Sequence, residues 1–192
     1  MYWQELSSTL HGGLPQHRDR IYIVGIRRDV QVQAFDWPAP FPCTMSLKHV
    51  LGGPSLDDCQ SLPRVPTNID TLSKTVRSNL QSFSDGQKGM PFADWIVNCG
   101  GSKVSFMKDT RPCLTASRCK DAHGYWSPRL QRFLDTSDML ALQGWPQAVA
   151  KVEAWRKHTP DKVLREMAGN GMCLGVLRRV LKAILVSRGI LH

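Results

Sequence analysis

A run of β-branched and aromatic residues near the N-terminus, Ile21-Tyr-Ile-Val-Gly-Ile26, is typical of a buried strand. We expect this strand to begin near Gln16. Because side chains alternate between the two faces of a strand, Gln16, Arg18 and Arg20 would project from the same side. The pattern therefore predicts two guanidinium groups and one amide on a single patch.

A second apolar pattern lies near the other end of the chain. Apolar residues recur there at helical spacing, at Met172, Val176, Leu177, Val180, Leu181, Ile184 and Leu185. Basic residues at 178, 179 and 182 lie on the opposite side of the same helix. This arrangement predicts an amphipathic helix whose apolar stripe needs a sheet to cover it.

Between these two elements the sequence predicts an α/β chain interrupted by turns. Prolines at positions 38, 40 and 42 exclude a helix and favour an extended connector. Apolar spacing, caps and glycines predict helices over 46–51, from Thr67 to Gly86, over 137–142 and over 148–157, and a strand pair over 95–97 and 104–107.

The charge balance favours a polyanionic partner. The chain has 192 residues, with 25 Lys and Arg against 16 Asp and Glu, for a formal net charge of +9. Such an excess suits nucleic acid better than an acidic partner. No stretch approaches the roughly 18 consecutive apolar residues that span a bilayer, and the N-terminus lacks the pattern of a secretory signal. We therefore expect an intracellular protein without a membrane segment.

The six cysteines show no C-x-x-C pair. Cys113, Cys119 and His123 do not have the spacing of a compact zinc site. The sequence therefore predicts reduced thiols and no metal centre.

Three separated segments carry recognisable motifs. Gly13-Leu-Pro-Gln-His-Arg-Asp-Arg-Ile-Tyr-Ile-Val-Gly25 follows the pattern G-x-P-Q-x-R-x-R-x-x-x-x-G. Arg132-Phe-Leu-Asp-Thr-Ser-Asp-Met-Leu-Ala-Leu-Gln-Gly-Trp-Pro146 is similar to R-x-L-x-x-x-E-x-x-R-L-Q-G-F-P, and Cys113-Leu-Thr-Ala-Ser117 precedes it. Ala168-Gly-Asn-Gly-Met172, which we expect to open a helix, is similar to G-N-[AS]-V. In this order the segments resemble the eighth, ninth and tenth motifs of the DNA cytosine-5 methyltransferases.

The resemblance covers almost the whole chain and implies its organisation. It implies an α/β fold, namely the C-terminal part of a doubly wound S-adenosylmethionine-dependent methyltransferase fold plus a small mixed target-recognition region. Residues 1–37 would hold the end of the catalytic sheet and residues 38–112 the target-recognition region. Residues 113–192 would hold the ninth-motif loop and helix and the closing helix that returns to the catalytic domain.

The resemblance also implies roles for single residues. The methyl donor would be S-adenosyl-L-methionine and the substrate a cytosine flipped out of DNA. Arg20 would contact the cytosine O2, with Arg18 holding the loop or a phosphate and Gln16 completing the catalytic group. The candidate cofactor-binding residues are Gly169, Asn170 and Gly171. The candidate DNA contacts are Thr115, Arg132, Gln143 and Gly144.

The chain departs from the family pattern at three positions. Asp138 stands where the family usually has Glu, which keeps an acceptor that is one carbon shorter. Ala141 replaces an Arg and removes a guanidinium, and Gly171 replaces Ala or Ser.

The nucleophile motif P-C-Q, the E-N-V motif and the Gly-rich F-x-G-x-G turn of the family do not occur in these 192 residues. Cys43 and Cys113 follow prolines, but both lack the Gln and lie beyond the eighth motif. We therefore expect the chain alone to be inactive. Three accounts stay open: a fragment of a methyltransferase, one subunit of a split enzyme with a separate N-terminal catalytic subunit, and a basic DNA-binding remnant without catalysis. In a eukaryotic host we would expect a nuclear location.

Overall fold

The computed structural model describes residues 1–43 and 45–191 and has a mixed α/β architecture. The strands are β1 (Tyr2–Ser7), β2 (Asp19–Val24), β3 (Trp95–Asn98), β4 (Ser105–Lys108), β5 (Tyr125–Ser127) and β6 (Arg132–Phe133). The α-helices are α1 (Leu47–Leu51), α2 (Lys74–Gly86), α3 (Ala116–Cys119), α4 (Thr136–Leu142), α5 (Pro146–Val149), α6 (Val152–Arg156), α7 (Asp161–Asn170) and α8 (Leu174–Ser187).

The N-terminal sheet consists of β1 and β2, which pair in antiparallel fashion. Tyr22 and Val24 are buried on its inner face, whereas Ile21 and Ile23 on the outer face are 66% and 68% exposed. The predicted buried strand is therefore buried on one face only, because no second layer of the described residues covers the outer face.

The prediction that this strand begins near Gln16 was wrong. The β1–β2 ladder ends at the pair Ser7 and Asp19 because β1 stops there. Gln16 instead forms one isolated parallel bridge with Arg111. This bridge joins the segment before β2 to the residues that follow the 38–110 region.

Helix α8 confirms the predicted amphipathic helix. Its buried residues Val176 and Val180 belong to the same apolar cluster as Tyr22 and Val24 of β2. A Cβ on Gly175 would lie only 2.2 Å from the carbonyl oxygen of Gly12. Glycine at position 175 therefore allows α8 to approach the N-terminal turn closely.

The second sheet has the strand order β4-β3-β5-β6, with β3 and β4 paired as predicted. Helix α2 packs against it through Leu80 and Phe83. The predicted start of this helix at Thr67 was wrong. The Ser73 side chain accepts a hydrogen bond from the backbone N–H of Val76, so that the helix begins at Lys74.

The C-terminal half contains more helices than the sequence predicted. The predicted helix over 148–157 is split into α5 and α6, and α7 was not predicted. Gly169 and Asn170 therefore end α7 and do not precede α8 as a simple turn. In the described part of the chain, no helix combines the length and hydropathy needed to cross a bilayer.

Candidate functional site

Arg18 is buried and joins three segments of the chain. Its Nη1 donates to the carbonyl oxygen of Leu114 at 2.5 Å, and its Nη2 donates to the carbonyl oxygens of Gly171 at 2.9 Å and Gly169 at 3.4 Å. The last two oxygens lie at the C-terminal end of α7, where the helix dipole favours a cation. Arg18 therefore holds the loop that starts at Cys113 and the end of α7 against β2.

Arg20 is exposed and lies next to Arg18. Its Nη1 donates to the carbonyl oxygen of Asp19 at 2.7 Å, and its Nη2 lies 3.4 Å from the sulfur of Cys113. Arg18 Nη1 lies 3.5 Å from the same sulfur. Among residues 1–43 and 45–191, no carboxylate forms an ion pair with either guanidinium. The structure thus brings the two predicted arginines together and leaves the charge of Arg20 uncompensated at the surface.

Gln16 is bridged to Arg111 in the interior. Its side chain is fully buried, and neither its Oε1 nor its Nε2 has a hydrogen-bond partner among the described residues. The bridged Arg111 is also fully buried, with its guanidinium 5.2 Å from the centre of the Tyr125 ring. Burial lowers the pKa of Arg111 to about 10. Of the three residues predicted to share a patch, Gln16 and Arg18 are buried and Arg20 is exposed.

The phenol of Tyr125 fixes the loop that carries Cys113 and Thr115. Its hydroxyl donates to the carbonyl oxygen of Cys113 at 2.9 Å and accepts from the backbone N–H of Thr115 at 3.4 Å. Burial raises the pKa of Tyr125, which keeps the hydroxyl proton available for donation. Thr115 itself is exposed, as a DNA contact requires.

Arg132, another predicted DNA contact, is held by Asp138. Its Nη1 donates to Oδ2 of Asp138, and its Nη2 donates to Oδ1 at 2.9 Å. Asp138 also accepts from the backbone N–H of Asp135, which caps α4. Asp138, which is one carbon shorter than the Glu usual in the family, therefore still pairs with Arg132. The pair forms although Ala141 lacks the guanidinium of the Arg that is usual at that position.

Gln143 has a structural position between α4 and α7. Its side chain is buried, and the Nε2 group donates to the carbonyl oxygen of Ala168. The backbone carbonyl oxygen of Gln143 accepts from the backbone N–H of Leu174 at 2.9 Å. The buried amide joins α4 to α7, and the DNA contact of Gln143 stays a prediction. Gly144 ends α4 with a φ of 79°, a conformation that favours glycine.

Gly169, Asn170 and Gly171 differ from the predicted cofactor turn. We expected this segment to open a helix, whereas in the structure it ends α7 and presents carbonyl oxygens, and Arg18 binds two of them. A Cβ on Gly169 would lie 2.6 Å from the Cα of Ala116, so this glycine allows α7 to pack against α3. Asn170 is exposed and Gly171 is half-buried.

The cysteines are unpaired, and the described residues contain no cluster of metal-ligating side chains. Cys43 and Cys113 are partly exposed and the other four are buried. Burial raises the pKa of Cys99 and of Cys119 to about 12. Sequence reasoning set Cys113 aside because it does not match the nucleophile motif, although its place two residues before Thr115 pointed to the site.

Comparison with known proteins identifies the family of the chain. A family model described as C-5 cytosine-specific DNA methylase matches residues 2–186. The chain belongs to this family. It is similar to Type II methyltransferase M.HaeII of Haemophilus aegyptius, with 28% identity over 186 residues, which cover 96% of this chain and 51% of that protein.

A second similar protein of this kind is Type II methyltransferase M.Bsp6I of Bacillus sp. (strain RFL6). It is 26% identical over 189 residues, which cover 96% of this chain and 55% of that protein. The chain thus spans about half the length of both relatives.

Proposed function

We propose that this chain supplies the base-binding and target-recognition half of a DNA cytosine-5 methyltransferase. The observation that carries the proposal is the exposed, uncompensated guanidinium of Arg20, which lies beside the loop of Thr115. Residues 1–37 would complete the catalytic sheet of a doubly wound fold. Residues 38–112 would read the target, and residues 113–192 would return to the catalytic domain.

The proposed task of Arg20 follows from the chemistry of the reaction. A thiolate adds to C6 of the flipped cytosine, which makes C5 nucleophilic towards the methyl donor. Negative charge develops on the ring and its O2 oxygen. A fixed guanidinium that carries no carboxylate partner can stabilise that charge with little reorganisation.

The cofactor of this reaction would be S-adenosyl-L-methionine, which supplies the methyl group when bound. The residues present fit the edge of such a site. Asn170 offers an exposed amide, and no hydrogen bond among the described residues uses it. The neighbouring peptide of Gly171 is fixed by Arg18. Asn170 and Gly171 would hold a polar end of the cofactor.

The thiolate would come from residues outside this sequence, in the same polypeptide or in a separate subunit. The outer face of the N-terminal sheet is where we place this second half. Trp3, Ile21 and Ile23 are exposed there by 71%, 66% and 68%. Such an apolar face suits the continuation of a core.

Transfer of labelled methyl from S-adenosyl-L-methionine to cytosine-containing duplexes tests the proposal. The chain alone should transfer none, and addition of the other half of a relative such as M.HaeII, fused or separate, should produce activity. Methyl transfer by the pure chain would contradict the proposal that the nucleophile lies outside this sequence. Failure of every fused or mixed form to methylate DNA would contradict the function.

Arg20→Ala should slow methyl transfer in the complemented enzyme by two to three powers of ten, about 2.7–4 kcal/mol. Arg20→Lys should restore only part of the rate, because an ammonium lacks the planar fork. Arg27→Ala is the control, since Arg27 pairs with Asp29 at the exposed surface. Equal single-turnover rates for Arg20→Ala and the parent would show that the role is wrong.

A non-catalytic DNA-binding protein is the second candidate, and the net charge of +9 favours it. Titration of fluorescent duplexes should give weak binding that falls steeply with salt and depends little on sequence. Such binding, combined with inactivity in every complemented form, would favour this candidate over the enzyme. Affinity that does not change with salt would contradict the electrostatic account of both.

A further inference from the structure

Cys113 lies where the two arginines of the Arg18-x-Arg20 pair meet. Its sulfur is 3.4 Å from Arg20 Nη2 and 3.5 Å from Arg18 Nη1. The loop under the sulfur is fixed from two sides. Tyr125 donates to the carbonyl oxygen of Cys113, and Arg18 donates to that of Leu114. The backbone that carries this sulfur is therefore held in place beside an exposed guanidinium.

The other contact of Arg20 holds the opposite end of the guanidinium, where Nη1 donates to a backbone oxygen at 2.7 Å. Its acceptor is the carbonyl oxygen of Asp19, the residue directly before Arg20 in the same strand. Within the described residues, Cys113 provides the one side-chain acceptor of Arg20. Of these two contacts, the one with the sulfur joins the guanidinium to the loop of Thr115.

Sulfur also has a chemical property that an ordinary partner of arginine lacks. A carboxylate would bind the guanidinium through strong charge-assisted hydrogen bonds and would compete with an oxygen of the substrate. A thiol sulfur is only a weak acceptor. It can orient Arg20 and still leave the guanidinium free for negative charge that develops on a base.

We propose that Cys113 is a positioning residue for Arg20. The sulfur of Cys113 aligns the guanidinium without neutralising its charge. The proposal rests on the function proposed above for Arg20. The alignment itself can be measured on the chain as it is, so the two ideas can fail separately.

The first experiment measures the motion of Arg20 by nitrogen-15 relaxation of its side-chain Nε–H, assigned by the signal that Arg20→Lys removes. Cys113→Ala should make this group more mobile. Cys113→Ser should keep it ordered, since a hydroxyl oxygen also accepts hydrogen bonds. Unchanged order in Cys113→Ala would overturn the proposal.

Cys43 provides a matched control for this comparison. It is also partly exposed and follows a proline, but its sulfur contacts the carbonyl oxygen of Met45 and no arginine. Cys43→Ala should leave the Arg20 signal as it is. If Cys113→Ala fails to fold, iodoacetamide modification of Cys113 in the folded Cys43→Ala protein replaces it. The bulky thioether should also release Arg20, and an Arg20 signal that stays ordered would overturn the proposal.

The second experiment tests why the acceptor is sulfur. Cys113→Asp should keep Arg20 ordered and yet lower kcat of the complemented enzyme by at least about tenfold, because the carboxylate neutralises the guanidinium. KM for DNA should change little. Cys43→Asp changes the net charge equally and should keep the parent rate. A full rate in Cys113→Asp would overturn the claim, whereas inactivity of every variant and the parent would contradict only the proposed function.

Discussion

Arg18 and Arg20 stand two residues apart and have different surroundings. Sequence spacing was sufficient to place them together, because alternation along an extended chain does not depend on the rest of the fold. It could not show that Arg18 is buried or that Gln16 turns inward. Those outcomes depend on carbonyl oxygens and a bridge more than 90 residues away in the chain.

The burial of Arg18 gives a prediction about stability. Arg18→Met keeps an apolar stem but leaves the carbonyl oxygens of Leu114 and Gly171 without their donor. We expect the free energy of unfolding to fall by about 2–4 kcal/mol. Arg20→Met should change it by no more than about 0.5 kcal/mol, since Arg20 is exposed. Urea unfolding of both variants measures the difference, and similar losses would show that Arg18 does not hold these segments.

Elements with a strong apolar pattern were predicted well, and those defined by caps or close backbone contacts were not. The stripe of α8 and the strand pair β3–β4 were evident from the sequence. Helix α7 is amphipathic as well, but its apolar spacing is confined to ten residues, of which Leu164, Ala168 and Gly169 are buried. The resemblance instead led to the expectation that Gly169 and Asn170 form a turn before α8. The contact that requires glycine there comes from α3, which sequence reasoning could not supply.

Two glycines at helix ends allow a matched test of that contact. A Cβ on Gly169 would lie 2.6 Å and 2.7 Å from the Cα and N of Ala116, whereas a Cβ on Gly86 would meet nothing within 4 Å. Gly169→Ala should destabilise the protein by about 1–3 kcal/mol, because backbone atoms must move apart. Gly86→Ala should stabilise it by about 0.4–1 kcal/mol. Equal urea midpoints for the two variants would contradict close packing of α3 and α7.

At the scale of the whole molecule, the described residues form three buried clusters, and an apolar face of the N-terminal sheet remains open. The sequence predicted that the apolar stripe of α8 needs a sheet to cover it. In the structure, the inner face of β1 and β2 covers it. The open face is instead the outer side of the same sheet, with Trp3, Ile21 and Ile23. Strand residues alone could not show this, because alternation does not reveal which faces receive a second layer.

This open face leads to a prediction about association in solution. We expect the chain alone to self-associate through Trp3, Ile21 and Ile23, since a contiguous apolar patch is costly to leave in water. The double variant Ile21→Thr with Ile23→Thr should be monomeric and lose little stability, because Thr keeps the β-branched shape that suits a strand. Met90, which is 57% exposed in a loop, provides the control substitution Met90→Gln. Sedimentation velocity over a range of concentrations distinguishes the outcomes. A parent chain that stays monomeric would show that the outer face does not drive association, and association that persists in the double Thr variant would place the contact elsewhere.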